Sequence, residues 1–257
     1  MVLSVIIPTL NEEEVVGECL KSLKDQNFDG RYEVIIVDGD SSDRTREIVE
    51  IYADKVISQR SEGIGGARRD GVEASRGNVF VFTDADTIYD ENWLSIISEN
   101  LRRYDVSTGP VLFYDENFRS DLLQYWRKIY LLFHSFNFYW LIGSNIAIRE
   151  EAYQRINGHR DISILEDFDI SVKTFKEREI RSKYDKNQRV YTSARRLDNL
   201  FSYFLIYVRG YYYYLTKHYD HLLDYPRVDK MDLKTLTIAE IENLNSFFKL
   251  HSRISRK

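Results

Sequence analysis

The sequence predicts an α/β protein with a mostly parallel central sheet flanked by helices and a helical C-terminal extension. Three observations carry that expectation. The first half alternates short Val- and Ile-rich runs with helical patterns. Four of those runs, "LSVIIP", "YEVIIVD", "KVIS" and "NVFVFTD", are apolar on both faces, as strands covered on both sides must be. At 257 residues the chain is long enough for one large domain, or two small lobes, with a sizeable core.

The helices between the strands follow from periodicity. In "EEEVVGECLKSLKDQ", Val15, Val16, Cys19, Leu20 and Leu23 share one helical face. In "SDRTREIVEIYA", Ser42 is the expected cap, and Ile48, Val49 and Tyr52 are the expected buried side. "GIGGARRDGVEASRG" is a glycine-rich lead into a third helix. Strands and helices in this alternation make a parallel sheet with right-handed crossovers. Beyond Leu101, "DVSTGPVLFYD" reads as one strand, followed by a long aromatic helix from about Phe118 to Trp140. A short strand "NIAIR", an acidic helix start in "ILEDFDISVKTFKER" and a strand pair around "IRSKYDKNQRVYTS" come next. From Leu197 the chain is helical and tyrosine-rich, with a second helix in "IAEIENLNSFFKLH" and a basic tail. It contains no internal repeat and no low-complexity linker.

Composition narrows the function classes. With 43% hydrophobic and 30% charged residues an ordinary folded protein is expected. A formal net charge of −5 argues against a nucleic-acid binder, which needs clustered cations along a phosphate backbone. Cys19 is the only cysteine, so internal disulfides and cysteine-based zinc sites are excluded. The start, "MVLSVIIPTLNEEE", lacks the basic region and cleavage site of a leader. No apolar run reaches the roughly 18 residues of a spanning helix; "IYLLFHSFNFYWLIG" is broken by His134, Ser135 and Asn137. A cytoplasmic location is the expectation, with peripheral contact on the inner membrane face left open.

Polar residues collect at the strand ends: Pro8, Thr9 and Asn11 after the first, Asp38 closing the second, Asp84 and Asp86 closing the fourth. Ligands of open α/β sheets bind outside the carboxyl ends of the strands, so these groups should converge on one crevice. In an extended segment Asp84 and Asp86 would point the same way. Two close carboxylates beside a diphosphate are reconciled by a hard dication, Mg²⁺ or Mn²⁺, with oxygen ligands. The tripeptide alone also fits an ordinary turn. A nicotinamide site is disfavoured, because Arg68 replaces the third glycine of a G-x-G-x-x-G and "TLNEEE" follows the first strand. The glycines of "GIGGARRDG" would instead let backbone pass close to a ligand, with Arg68 or Arg69 facing its charge.

"SVIIPTLNEEE", "EVIIVDGDSSDRT", "GGARRDGVEASRGNVFVFTDAD", "GSNIAIREEAY" and "LEDFDISVKTFKER" stand in the order and spacing of another set of motifs. The chain resembles inverting family 2 glycosyltransferases of the GT-A fold over roughly Leu3 to Leu197. That resemblance implies a nucleotide-diphosphate sugar donor, UDP- or GDP-linked, and a glycan or lipid-linked acceptor. It implies residues 1–105 as the donor half, 106–196 as the acceptor half and 197–257 as the extension. Carried onto this sequence, it places Pro8, Thr9, Asn11 and Glu12 along the nucleoside and Asp38 on the nucleobase. Asp84 would serve ribose or metal, and Asp86 would be the main metal ligand. Asp167 would be the base, with Glu166 beside it. Asp40 stands where many members have Gly or Ser.

From the residues alone, Glu166, Asp167 and Asp169 also fit acids favoured at a helix N-terminus. In "VYTSARRL", Arg195 and Arg196 fit either the diphosphate, through the guanidinium fork, or a solvated helix start. No Q-x-x-R-W signature of processive synthases is present, which favours single-sugar transfer. His218 and His221 read as a structural pair, and nothing requires a role for His159. The aromatic helices leave core, homodimer and membrane contact open. A sugar-nucleotide-forming nucleotidyltransferase and a non-catalytic sugar-nucleotide or glycan-binding module are the rival readings.

Overall fold

The computed structural model describes residues 1–115, 131–194 and 200–223. Four parallel strands build its first half: β1 (Val2–Thr9), β2 (Arg31–Asp38), β3 (Lys55–Ser58) and β4 (Val79–Phe82). They alternate with helices α1 (Val16–Lys24), α2 (Thr45–Tyr52) and α3 (Gly63–Ala74). β5 (Thr87–Tyr89), α4 (Trp93–Asn100), β6 (Val106–Thr108), β7 (Val111–Phe113) and β8 (Ile146–Arg149) follow. Next are α5 (Glu150–Arg155), α6 (Glu166–Lys176), β9 (Ser182–Tyr184), β10 (Val190–Thr192) and α7 (Leu200–Leu215). Short 3-10 turns occupy Leu131–Phe136 and Tyr219–Leu222.

The main sheet has the order β3-β2-β1-β4-β8-β6-β9, and β5-β10-β7 forms a second, smaller one. Side-chain alternation divides the core into two layers. Leu3, Val5 and Ile7 of β1 join Val34 and Ile36 of β2 beneath α1, α2 and α4. Ile6, Ile35, Val37, Phe80 and Phe82 point the other way, against Ala67 of α3, Tyr153 of α5 and Ile170 of α6. α3 lies so close to β1 that a Cβ on Gly71 would come within 2.3 Å of the Ile6 side chain. Cys19 is buried in the first layer, as a small core residue.

Several expected elements differ from the structure. "DVSTGPVLFYD" is two strands, because Gly109 and Pro110 break the run and send β6 and β7 to different sheets. The expected β9–β10 pair does not form: β9 joins β6, whereas β10 lies between β5 and β7. Ser42 does not cap α2. It gives its N–H and hydroxyl to Asn11, while Asp43 takes the Thr45 N–H. Of the expected helix from Phe118 to Trp140, the described part is a 3-10 turn and irregular chain, and residues 116–130 lie outside the described set. The second C-terminal helix and basic tail also lie outside it.

The tyrosines of α7 have a structural use. Ile206 packs with Ile162, Ile164, Leu165 and Leu222, and Tyr207, Tyr211, Tyr213 and Tyr214 flank them. The Tyr214 hydroxyl donates to Asp169, which also pairs with Lys173 at 2.7 Å. α7 thereby holds down the start of α6. His221 stacks on Tyr213 at 4.3 Å.

Candidate active site

β1 and β2 run in register, so Thr9 lies beside Asp38 at their carboxyl ends. Both are buried, and Asp38 accepts hydrogen bonds from the Ser41 hydroxyl at 2.6 Å and from Thr9 at 3.4 Å. Pro8 is half-buried beside them. Asn11 and Asp40 have positive φ, 55° and 68°, a region that Asn, Asp and Gly tolerate best. Asn11 is exposed and ties the two loops together through Ser41 and Ser42. The Glu12 N–H donates to Thr45.

Asp84 and Asp86 sit in a tight turn between β4 and β5, closed by the Thr87 N–H on the Asp84 carbonyl. The expected extended geometry is therefore absent, because the chain turns here to enter the small sheet. Asp84 meets Arg68 of α3 at 2.9 Å and Asp86 accepts from Thr192 of β10 at 3.1 Å. The same arginine reaches Glu166 at the start of α6 at 2.8 Å. Arg68 is 1% exposed, and its Nε has no partner among the described residues. It does not face outward toward a ligand's charge, because its two terminal nitrogens are committed to carboxylates. Arg69 pairs instead with Asp161. A Cβ on Gly143 would fall 2.5 Å from the Arg68 fork, so this glycine makes room for it.

Asp167 takes N–H groups from Gly143 at 3.3 Å and Phe168 at 2.7 Å, and is half-buried. Burial pushes the Glu166 carboxyl up, and neighbouring Asp167 adds to the push, against the pull of Arg68. Burial raises Asp167 as well, again opposed by Arg68. Leu165, just before the pair, adopts a left-handed conformation at φ 64° although it is a buried leucine. Such a backbone costs roughly 1–2 kcal/mol. It persists because the Ile162–Leu165 segment is clamped by Ile206 and Leu222.

No group of three or more His, Cys, Asp or Glu side chains could chelate a metal among the described residues. A dication at Asp84 and Asp86 would therefore take its remaining ligands from water and substrate oxygens. That is how Mg²⁺ or Mn²⁺ ordinarily binds with phosphate. The hard oxygen donors and the 41% exposure of the Asp84 side chain fit that use. Arg195 and Arg196 lie outside the described residues. His159 is buried against Phe82 and Tyr153, and burial lowers its pKa well below the usual histidine range.

Three positions around the acids escape a reading of the sequence. Thr192 and Leu165 carry no local signal. Gly143 is visible only as a glycine in "LIGSN".

Fold and site together define an α/β protein whose acids cluster at the carboxyl end of its sheet. Residues 4–156 match the model of glycosyl transferase family 2, and the chain belongs to that family. It is 35% identical over 98 residues to glycosyltransferase AglE of Haloferax volcanii, covering 35% of this chain and 32% of AglE. Among solved structures it resembles mannosyltransferase PcManGT from Pyrobaculum calidifontis in complex with GDP-Man and Mn²⁺. The TM-score is 0.63 and identity 17%, covering 89% of this chain and 66% of PcManGT. S. aureus TarS 1-349 with UDP-GlcNAc gives a TM-score of 0.60 and 22% identity, covering 75% of this chain and 58% of that one. The fold is GT-A. The chain spans about a quarter to a half of the length of the first curated relatives it matches.

Proposed function

We propose that the protein transfers a single sugar, with inversion, from a nucleotide-diphosphate sugar to an acceptor hydroxyl. The observation that carries this reading is the Arg68 bridge. It ties the acid turn after β4 to the acid pair of α6 through one guanidinium, which supports reading them as the donor and base groups of one site. PcManGT with GDP-Man and TarS with UDP-GlcNAc support a nucleotide-sugar donor, UDP- or GDP-linked.

In this reading residues 1–105 take the donor and 106–196 the acceptor. Pro8, Thr9, Asn11 and Glu12 line the nucleoside, and Asp38, oriented by Ser41, reads the nucleobase. Asp84 and Asp86 hold Mg²⁺ or Mn²⁺, which when bound would neutralise charge on the departing diphosphate. Asp167 accepts the proton of the acceptor hydroxyl as its oxygen bonds to the anomeric carbon. The bond from that carbon to the diphosphate breaks, and the nucleoside diphosphate leaves with the electron pair. Attack from the side opposite the leaving group inverts the centre. Arg68 acts through Asp84 and Glu166, keeping both turns in place. Arg195 and Arg196 remain proposed partners of the diphosphate.

Calorimetric titration of UDP- and GDP-sugars, with Mn²⁺ and then with chelator, tests the reading. Binding should require metal and disappear in Asp86→Ala. Binding indifferent to both would overturn the metal role. Donor binding without turnover on any acceptor would favour the non-catalytic module, and pyrophosphate release from a nucleoside triphosphate would favour a nucleotidyltransferase.

A further inference from the structure

At the other end of α6 from the acid pair, the 3-10 turn Leu131–Phe136 and the C-terminal end of that helix expose an unusual set of side chains. Phe136 is 74% exposed, Phe175 49% and Phe133 43%. They are not scattered: Phe138 makes edge-to-face contact with both Phe133, at 6.2 Å, and Phe175, at 5.4 Å. Phe136 and Phe175 line one groove of ≈ 470 Å³ together with Tyr139, Lys176 and Arg178. Water is an expensive neighbour for grouped phenyl rings, and such grouping marks an interaction surface.

The charges around the rings identify the partner. Lys176 and Arg178 are exposed, while Glu179 is held by Arg155. Glu177 also lines the groove but is half-buried, so among the described residues the face presents two exposed cations against one partly buried acid, on a chain whose net charge is −5. Aromatic rings beside Lys and Arg suit the boundary between headgroups and acyl chains, where each ring inserts and each cation meets anionic lipid. A second copy of the chain fits less well, since a two-fold contact through this patch would set Lys176 and Arg178 against their own counterparts.

We propose that Phe133, Phe136 and Phe175, with Lys176 and Arg178, form a surface that seats the protein on an anionic membrane. Among the described residues no helix is long and apolar enough to cross a membrane, so attachment here would be interfacial. The proposal stands independently of the transfer reading.

Co-sedimentation of the full chain with phosphatidylcholine vesicles, with and without phosphatidylglycerol, tests it. The protein should pellet with the anionic vesicles, and added salt should weaken the association. Phe136→Ser/Phe175→Ser and, separately, Lys176→Glu/Arg178→Glu should each reduce partitioning about tenfold, with an unchanged urea-unfolding midpoint. Three results would overturn the proposal. One is no partitioning of the unaltered protein onto either vesicle. Another is partitioning that survives both double variants. The third is a dimer in sedimentation velocity that the phenylalanine changes dissociate while vesicle binding stays as it was.

Discussion

The acids after β4 and the acids opening α6 share one arginine but not one environment. Asp84, in its turn, keeps 41% of its side chain in contact with solvent, whereas Glu166 keeps 11%. Water reaches Asp84, where a dication could retain part of its hydration, although Asp86 is as buried as Glu166, each being 8% exposed. Burial raises the Glu166 and Asp167 carboxyl pKa values, which suits proton transfer, while Asp167 stays half-buried. Among the described residues Arg68 is drawn at once toward Glu166, Asp84 and Asp167.

The sharpest way to break this comparison is to alter one member of each pair. Asp167→Asn should keep metal-dependent donor binding but lower transfer by about 10³-fold, within the range of a lost general base. Single-turnover measurement of sugar transfer checks this. Substantial transfer by the variant would remove Asp167 from the role of base and make the two pairs equivalent in kind.

Arg68→Met comes next. It strips the fork from two carboxyls at once and, above about pH 8 where Glu166 is ionised, should cost roughly 3–5 kcal/mol in urea unfolding, the usual result of orphaning buried charge. Most of that loss belongs to Glu166, since solvent screens the Asp84 half. An unchanged unfolding curve would mean that the bridge is incidental.

How much of this could be read beforehand depended on the kind of signal. β1 to β4 were plain, because strands buried on both faces must be continuously apolar and Ile6 or Val81 leave little alternative. The acids were equally plain as residue types at strand ends. Their partners were not. Arg68 looked like a ligand contact, since nothing local reveals that its fork would be captured by Glu166, 98 positions further on. The split of "DVSTGPVLFYD" was available in principle from Gly109 and Pro110, but assigning β7 to another sheet required knowing where β10 would lie. Leu165 was illegible, because a left-handed leucine is imposed by packing with α7 and disfavoured by its own propensity.

A finer test concerns pH. Burial first, and Asp167 second, push the Glu166 carboxyl up to about 8. A folded-state pKa above the unfolded one means that the folded protein binds the proton more tightly. The associated stability is full below the usual carboxylate value of 4.5 and is lost as pH rises through about 8. Glu166→Gln, which stays neutral throughout, should flatten the unfolding free energy across that window relative to the unaltered protein. Parallel curves for the two proteins would place the extra proton elsewhere.

The smallest expected effect lies in the acid turn after β4. Thr192 donates to Asp86 at 3.1 Å from the end of β10, and the antiparallel β5–β10 pairing sets Thr192 against Thr87, the residue after Asp86. Thr192→Val preserves shape and removes only the donor. In stability it should cost about 0.5–1.5 kcal/mol, an ordinary hydrogen bond. If the bond merely tidies the surface, nothing further should change. If it aims Asp86 at a cation, Mn²⁺-dependent nucleotide affinity should fall about tenfold, as for other bonds that orient a ligating carboxylate. Thr192→Ser should restore it. Calorimetry on the three proteins separates the cases: lost affinity with rescue by serine would give the small sheet a use, that of holding an acid steady for a metal.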